Sequence, residues 1–399
     1  MTNIEAAINK LHLLSQYEIT DSLEENAPII TERANDKHAI ANQIQALFTE
    51  GKIHQNCDWA AHMTTTISTD SLVGQLLSSH HNGNLLSPEL YPTLNRIKQQ
   101  TLDWLCQLFE QSHGHFTSGA SYGNLEALWQ AKQQYPNRDT IFAAKTAHYS
   151  IDKASQILGL KVQYIATDSD DKIDLAQLRR ACELNSPLAI IATAGTSASG
   201  AFDPIDECIQ IAQDVDAWCH IDAAWGGYLK LLPEHRALFG HQLAHANSLC
   251  FDPHKAWAQP KPASILLYQQ PASPMMSIEA DYLHHQPDSK LPGSQGGQAF
   301  LPLWFTLISS GVESLRCNSR HALGQAQLFT EFLAEQTQWP IFRSPSGIVC
   351  FETEEKLTSL IQQGVISTAQ RNNRTVYRTV FIGNHIKAKA LIEKLQPYF

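Results

Sequence analysis

Between Thr140 and Tyr268, short apolar runs alternate with amphipathic stretches, and this alternation limits the possible folds more than any other feature of the chain. The runs are Thr140–Ala144, Val162–Ala166, Leu188–Thr193, Ala217–Asp222, Ser248–Phe251 and Ser264–Tyr268. Ser150–Leu158, closed by Gly159, and Asp174–Glu183, opened by an aspartate suited to capping, read as helices of crossover length between the first runs. Strand, helix and strand in series imply parallel pairing with helices on both faces. The expectation is a doubly wound α/β domain, which binds ligands at the carboxyl ends of its strands.

The flanks divide the chain further. Pro88–Phe109, with Ser87 as its cap, and Ser121–Gln134 read as helices before the alternating region. Gln298–Ser310 and Glu313–Glu335 read as helices after it. Pro340 and the Ser344-Pro345-Ser346-Gly347 turn mark a boundary, beyond which strands at Gly347–Phe351 and Val376–Ile382 and helices at Glu355–Gln363 and His385–Gln396 make a small α+β unit. We therefore expect an N-terminal helical segment (1–55), a large domain (56–339) and a small C-terminal α+β domain (340–399). With 43% hydrophobic and 17% charged residues, 399 residues supply ample core material.

Charge and cysteine usage exclude several function classes. The formal net charge is −10, and the longest local basic run, around Arg371 to Arg378, is short and interrupted, so nucleic acid is not an expected partner. The N-terminus has neither a basic flank nor an apolar core for a leader, and Gly, Pro, Ser and Thr break the longest uncharged stretches, so we expect no membrane partner and a cytoplasmic protein. The closest of the eight cysteines, Cys208 and Cys219, lie eleven apart, which excludes a C-x-x-C pattern and points to reduced thiols. The histidine pairs His80-His81, His113-x-His115 and His284-His285 lack acidic or cysteine partners at zinc spacing, so no metal is expected.

Four features at strand ends carry chemistry. Cys250-Phe-Asp-Pro-His-Lys255 ends a strand with a lysine that could serve as a Schiff-base amine; alone, such a lysine is more often a solvated surface charge. His220-Ile-Asp-Ala-Ala224 places Asp222 at another strand end, where a buried carboxylate suits a protonated pyridine nitrogen, although it could equally cap a helix or pair in the core. Phe116-Thr-Ser-Gly-Ala-Ser-Tyr-Gly-Asn124 leads small and hydroxyl residues into a helix start, an anion site suited to phosphate. Thr193-Ala-Gly-Thr196 adds a hydroxyl on the same edge. Phosphate cradle, hydroxyl, carboxylate and lysine in that chain order match what pyridoxal 5'-phosphate needs.

On these motifs, over about Asn56 to Gly311 and more loosely in the tail, the chain resembles the pyridoxal-phosphate-dependent group II amino acid decarboxylases. These include the glutamate and aromatic amino acid decarboxylases. Its compact length and the Gln259-Pro-Lys-Pro-Ala-Ser-Ile-Leu-Leu-Tyr segment are also similar to archaeal tyrosine or aspartate decarboxylases. The resemblance implies fold type I of the pyridoxal phosphate enzymes, with a mostly parallel sheet, and decarboxylation of an L-amino acid to the amine and carbon dioxide. It implies that Lys255 forms the internal aldimine, that Asp222 pairs with the ring nitrogen, that Ala224 packs beneath the ring and that His148 stacks on its other face. It further implies that Gly119, Ala120 and Ser121 hold the phosphate with Asp252 and His254 near it, and that Thr196 lies beside the ring hydroxyl or the substrate carboxylate. Arg378 matches a tail arginine that binds a substrate carboxylate, though a salt-bridged surface role fits as well, and side-chain specificity is implied for the segment from His62 to Thr66. A homodimer with shared active sites is implied too, with Gly293 to Gln298 approaching the partner's cofactor.

Three departures from the family stand out. The segment Tyr282-Leu-His-His-Gln-Pro-Asp-Ser-Lys-Leu-Pro292 is shortened and has no following tyrosine, which leaves the proton donor open among His148, His254, Lys255 and water. Gly293-Ser-Gln-Gly-Gly297 lacks the arginines many relatives carry there, and Tyr122-Gly123 replaces a common Glu-Ala. Aminotransferase, carbon–carbon lyase or aldehyde-forming oxidative chemistry on the same lysine stays open, as does a catalytically dead family member acting as a binding protein.

Overall fold

The alternating apolar runs become a sheet. The computed structural model describes residues 3–16, 30, 32–34, 36–271, 290, 291 and 293–399. Four helices, α1 (Asn3–Ser15), α2 (Lys37–Lys52), α3 (Thr69–His81) and α4 (Pro92–Phe109), precede strand β1 (His113–Thr117) and helix α5 (Ala120–Gln134). Then follow β2 (Thr140–Ala144), α6 (Ser150–Leu158), β3 (Lys161–Ile165), α7 (Leu175–Leu184), β4 (Ala189–Thr193), α8 (Ile205–Asp214), β5 (Trp218–Asp222), β6 (Ser248–Phe251) and β7 (Ser264–Tyr268). Helices α9 (Leu301–Ser309) and α10 (Gly311–Gln336) lead to the tail elements β8 (Ile341–Arg343), β9 (Ile348–Phe351), α11 (Thr358–Gln362), β10 (Ser367–Arg371), β11 (Arg374–Val380) and α12 (Ala388–Leu395).

The large sheet has seven strands in the order β1-β7-β6-β5-β4-β2-β3. Its pairings from β3 to β6 are parallel, while β7 runs antiparallel to both of its neighbours. The segment 252–263 contains no crossover helix, and without one a chain leaving β6 can only return antiparallel. Strand alternation divides the core. Ile141 and Ala143 of β2 bury with Ala127, Leu128 and Ala131 of α5 and Ile151 of α6. Their neighbours Phe142 and Ala144 face the opposite cluster with Leu178 of α7 and Ile209 of α8. Register then sets Thr193, Asp222 and Cys250 side by side at the carboxyl ends of β4, β5 and β6.

Helix α4 begins at Pro92, not at residue 88. Residues 87–91 form a turn in which Leu90 N–H donates to the Ser87 carbonyl at 3.1 Å, because Pro92 disfavours helical backbone at Tyr91 while being well suited to the first helical position. Strands β1, β8 and β10 and helix α8 were not expected from the sequence. The tail forms a four-stranded antiparallel sheet, β10-β11-β9-β8. It shares a core with Phe329 and Leu333 of α10 and Leu391 and Leu395 of α12. Among the described residues, no helix is long and apolar enough to cross a membrane.

Candidate active site

A cavity of about 310 Å³ opens at the carboxyl ends of the parallel strands. One wall is the start of α5. Gly119 sits at φ +108°, and a Cβ there would meet nothing within 4 Å, so the backbone faces open space. The Tyr122 and Gly123 N–H groups return to the Gly119 carbonyl, and Ala120 N–H donates to Asp252 Oδ1 at 2.9 Å. The N–H groups of Gly119 and Ser121 have no protein acceptor among the described residues. Unpaired N–H groups at the start of a 15-residue helix form an anion site, where the helix dipole adds to the local donors.

The floor is Asp222, buried at the end of β5. Its Oδ2 accepts from Asn124 Nδ2 at 3.0 Å, and its Oδ1 accepts from the Ala224 N–H at 3.1 Å. Burial pushes its pKa up, but the Lys255 charge, the Asn124 bond, His220 and the Ala224 N–H together outweigh that and hold it below the usual carboxylate range. Below Asp222, His220 is fully buried, bonded through Nδ1 to Ser248 Oγ at 2.7 Å and through Nε2 to Asn124 Oδ1 at 2.8 Å. Burial holds its imidazole down to about 4, so it is neutral near pH 7.

Lys255 and Asp252 form the next wall. Lys255 Nζ lies 3.2 Å from Asp252 Oδ2. His254 Nδ1 donates to the Ala263 carbonyl at 2.6 Å, and burial lowers its pKa. His148 lines the far side with its Nδ1 2.8 Å from Ser150 Oγ, and its pKa too is lowered, mainly by burial. A second lysine, Lys261, also lines the cavity, donating to Thr64 Oγ1 at 2.8 Å. Burial and the charge of Lys255 lower its pKa.

The structure gathers Gly119, Ala120, Ser121, His148, Asp222, Ala224, Asp252, His254 and Lys255 around this one cavity. Thr196 is not among its lining residues: its Oγ1 accepts from Ala201 N–H at 3.1 Å and lies 3.1 Å from Ser199 Oγ, closing its own turn. Thr193 and Ser197 line the cavity instead. Thr193 is held there by Asp203, whose carboxylate accepts from the Thr193 and Ile173 N–H groups at 2.7 Å and which burial raises to about 6. Arg378 and His62 lie outside the lining. Arg378 is buried on β11 and donates through Nη1 to the Ala61 carbonyl and Ser367 Oγ, both at 3.1 Å. His62 is exposed, its ring 5.5 Å from that of Trp59. The segment from Tyr282 to residue 289, and Pro292, lie outside the described residues. Sequence reasoning missed Lys261, Ser197 and Asn124; Asn124 had a signal, since an asparagine inside a helix favours neither propensity nor an apolar face.

The donor set fits pyridoxal phosphate at both ends and at its carbonyl: unpartnered helix N–H groups for a phosphate, a buried ionised carboxylate for a protonated ring nitrogen, and a primary amine for an aldehyde. Fold and site thus define an enzyme of the pyridoxal phosphate class. Residues 17–354 match the pyridoxal-dependent decarboxylase conserved domain, and the chain belongs to that family. It is 27% identical over 309 residues to a probable L-tyrosine/L-aspartate decarboxylase of Methanothermobacter thermautotrophicus, covering 72% of this chain and 84% of that protein. To the L-2,4-diaminobutyrate decarboxylase of Rhizobium meliloti it is 34% identical over 241 residues, 56% of this chain and 48% of the other. Among solved structures, Catharanthus roseus tryptophan decarboxylase in complex with L-tryptophan shares the fold with a TM-score of 0.85 at 19% identity, over 99% of this chain and 96% of that one. The chain is therefore a pyridoxal-phosphate-dependent decarboxylase, a lyase of amino acid metabolism.

Proposed function

We propose that the chain releases carbon dioxide from an L-amino acid at this cavity, with Lys255 as the cofactor lysine. One observation carries the assignment: Lys255, the ionised Asp222 and the unpartnered N–H groups of α5 line the same space at the carboxyl ends of adjacent strands. Bound there, pyridoxal phosphate supplies an electron sink for the bond to the departing carboxylate. Gly119, Ala120 and Ser121 would hold its phosphate, with Asp252 and His254 beside them. Asp222 would keep a proton on the ring nitrogen, Ala224 would support one face and His148 the other. His254, its Nδ1 hydrogen given to the Ala263 carbonyl, presents the Nε2 lone pair near Asp252, so it would carry the proton that replaces the carboxylate only after taking one up at Nε2, with His148, Lys255 and water as the other candidates. Thr193 and Ser197 offer hydroxyls at the position first assigned to Thr196.

On the substrate side we keep Arg378 and His62. Arg378 carries a guanidinium, the group suited to a substrate carboxylate, and its buried Nε has no hydrogen-bond partner among the described residues; burial lowers its pKa to about 10. We also assign a homodimer with shared sites. Leu72, Val73 and Leu77 expose apolar area on α3, which supports a partner there. Light scattering on the purified chain tests it, and a monomer would count against it. A cytoplasmic setting accords with eight free cysteines. The division into 1–55, 56–339 and 340–399 accords with the start of the second sheet at Ile341.

The experiment is a screen of L-amino acids with the full chain and added pyridoxal phosphate, measuring carbon dioxide and organic product together. Amine and carbon dioxide in equal amounts are expected from at least one substrate. A keto acid or an aldehyde as the main product would overturn the proposal.

A further inference from the structure

We propose that Asn124 is the positioning residue of this pocket: its one amide orients the Asp222 carboxylate and, through Ser150, fixes the proton of His148 on Nε2. The consequence for catalysis rests on the proposed function above. The hydrogen-bond assignment is a property of the chain itself.

Asn124 is fully buried on α5, one helical turn past the cap that faces the cavity. A side-chain amide has two N–H donors and an oxygen with two lone pairs, and here all four are used. Nδ2 donates to Asp222 Oδ2 at 3.0 Å and to Ser150 Oγ at 2.8 Å, while Oδ1 accepts from His220 Nε2 at 2.8 Å and is the nearer of two acceptors for the Cys250 thiol, at 3.1 Å against 3.6 Å to Asp222 Oδ1. Burial and the charges of Asp222 and Asp252 push the Cys250 thiol well up, so it keeps the hydrogen it donates.

The sense of every bond follows from the two ends of the network. An ionised Asp222 can only accept, so the amide must turn Nδ2 toward it and Oδ1 toward His220. His220 must then carry its hydrogen on Nε2, and the neutral ring presents the Nδ1 lone pair to Ser248 Oγ. Ser248 donates to it and accepts from the Trp218 Nε1–H, a group that can only donate, at 2.8 Å. In the other direction, Ser150 Oγ receives the second Asn124 hydrogen and spends its own on His148 Nδ1 at 2.8 Å. The Ser150 N–H points at the same Nδ1 at 3.3 Å, a contact that suits an acceptor nitrogen.

Neutral His148 is thereby Nε2-protonated. It offers the cavity a hydrogen bond and not a lone pair, so it acts as a donor there and not as a base. The same amide adds to the Lys255 charge in holding Asp222 ionised, and the two sides of the pocket share one support.

The test uses the full chain, with and without pyridoxal phosphate, carrying 15N-labelled histidine. Long-range 1H–15N spectra are recorded near neutral pH, with signals assigned through His148→Gln and His220→Gln. Both rings are expected as Nε2-protonated tautomers in the unchanged chain. Asn124→Asp, which keeps the shape but loses both N–H donors, should alter the His148 signals and raise the cofactor Kd by about tenfold or more. An Nδ1-protonated ring at either histidine of the unchanged chain would overturn the proposal. So would a folded Asn124→Asp chain with unchanged His148 signals and cofactor affinity. If Asn124→Asp does not fold, the tautomers of the unchanged chain decide. Expected tautomers in a chain that decarboxylates no L-amino acid would sink the proposed function and leave the Asn124 assignment supported.

Discussion

Asp222 separates charge from shape at the residue scale. Asp222→Asn keeps the volume and the contact with Asn124 but removes the negative charge that would hold a proton on the ring nitrogen, so kcat should fall by about 100-fold or more. Steady-state kinetics on the substrate found by screening checks this, and an unchanged kcat would remove Asp222 from the chemistry. His220 yields a pH prediction. Its pKa is depressed from the ordinary 6.5 to about 4 by burial, so the unfolded chain binds the extra proton between those values. Its contribution to stability is therefore full above pH 6.5 and declines as the pH falls toward 4. Asp203, raised to about 6, has the opposite sign over much of that window, so the effect must be read as a difference between variants. Relative to His220→Gln, the intact chain should lose about 2 kcal/mol of stability between about pH 7 and pH 5, measured by urea unfolding at each pH. Asp222 and Lys255 were legible because a strand end, a motif and a chain order all pointed at them. Arg378 and Thr196 were assigned by motif alone, and their nearest hydrogen bonds are to their own surroundings.

At the scale of elements, the strands with continuous apolar runs were legible because a sheet covered on both faces needs apolar residues at every position. His113-Gly-His-Phe-Thr117 was not, since β1 pairs only with β7 and opens on an exposed histidine and a half-buried glycine. Strand β10, Ser-Thr-Ala-Gln-Arg, is an edge strand and mostly polar for the same reason. The turn after β4 is legible in its glycine. Gly195 has φ +94°, and a Cβ there would lie 2.9 Å from both Gly226 N and Trp225 Cδ1. Gly195→Ala should destabilise the fold by about 3 kcal/mol and displace Thr193 and Ser197 from the cavity. A denaturant midpoint equal to that of the unchanged chain would contradict this.

At the scale of the molecule, a buried carboxylate of the large domain is one of the points that fasten the tail. Arg371 of β10 places Nε 2.8 Å from Asp171 Oδ2 and donates through Nη2 to the Ser169 carbonyl at 2.6 Å, with its guanidinium 3.8 Å above the Phe342 ring. Asp171 is buried, so Arg371→Ala would leave an uncompensated charge and cost about 3 kcal/mol. Hydrogen exchange should then show β8 to β11 losing protection ahead of the large sheet; equal protection in both chains would rule out a fastening role. The division of labour that places the site at the carboxyl ends of the strands was legible from the alternating pattern. The presence of two lysines in one cavity was not, because Lys261 is brought back toward Lys255 only by the course of residues 256–261.

That pair defines the most direct measurement. The full chain loaded with pyridoxal phosphate is reduced with borohydride, digested and mapped by mass spectrometry. A pyridoxyl-phosphate mass on Lys255, absent after Lys255→Ala, is the expected result. The same mass on Lys261, or no modified lysine in a folded, cofactor-saturated chain, would contradict the assignment of Lys255 as the cofactor lysine.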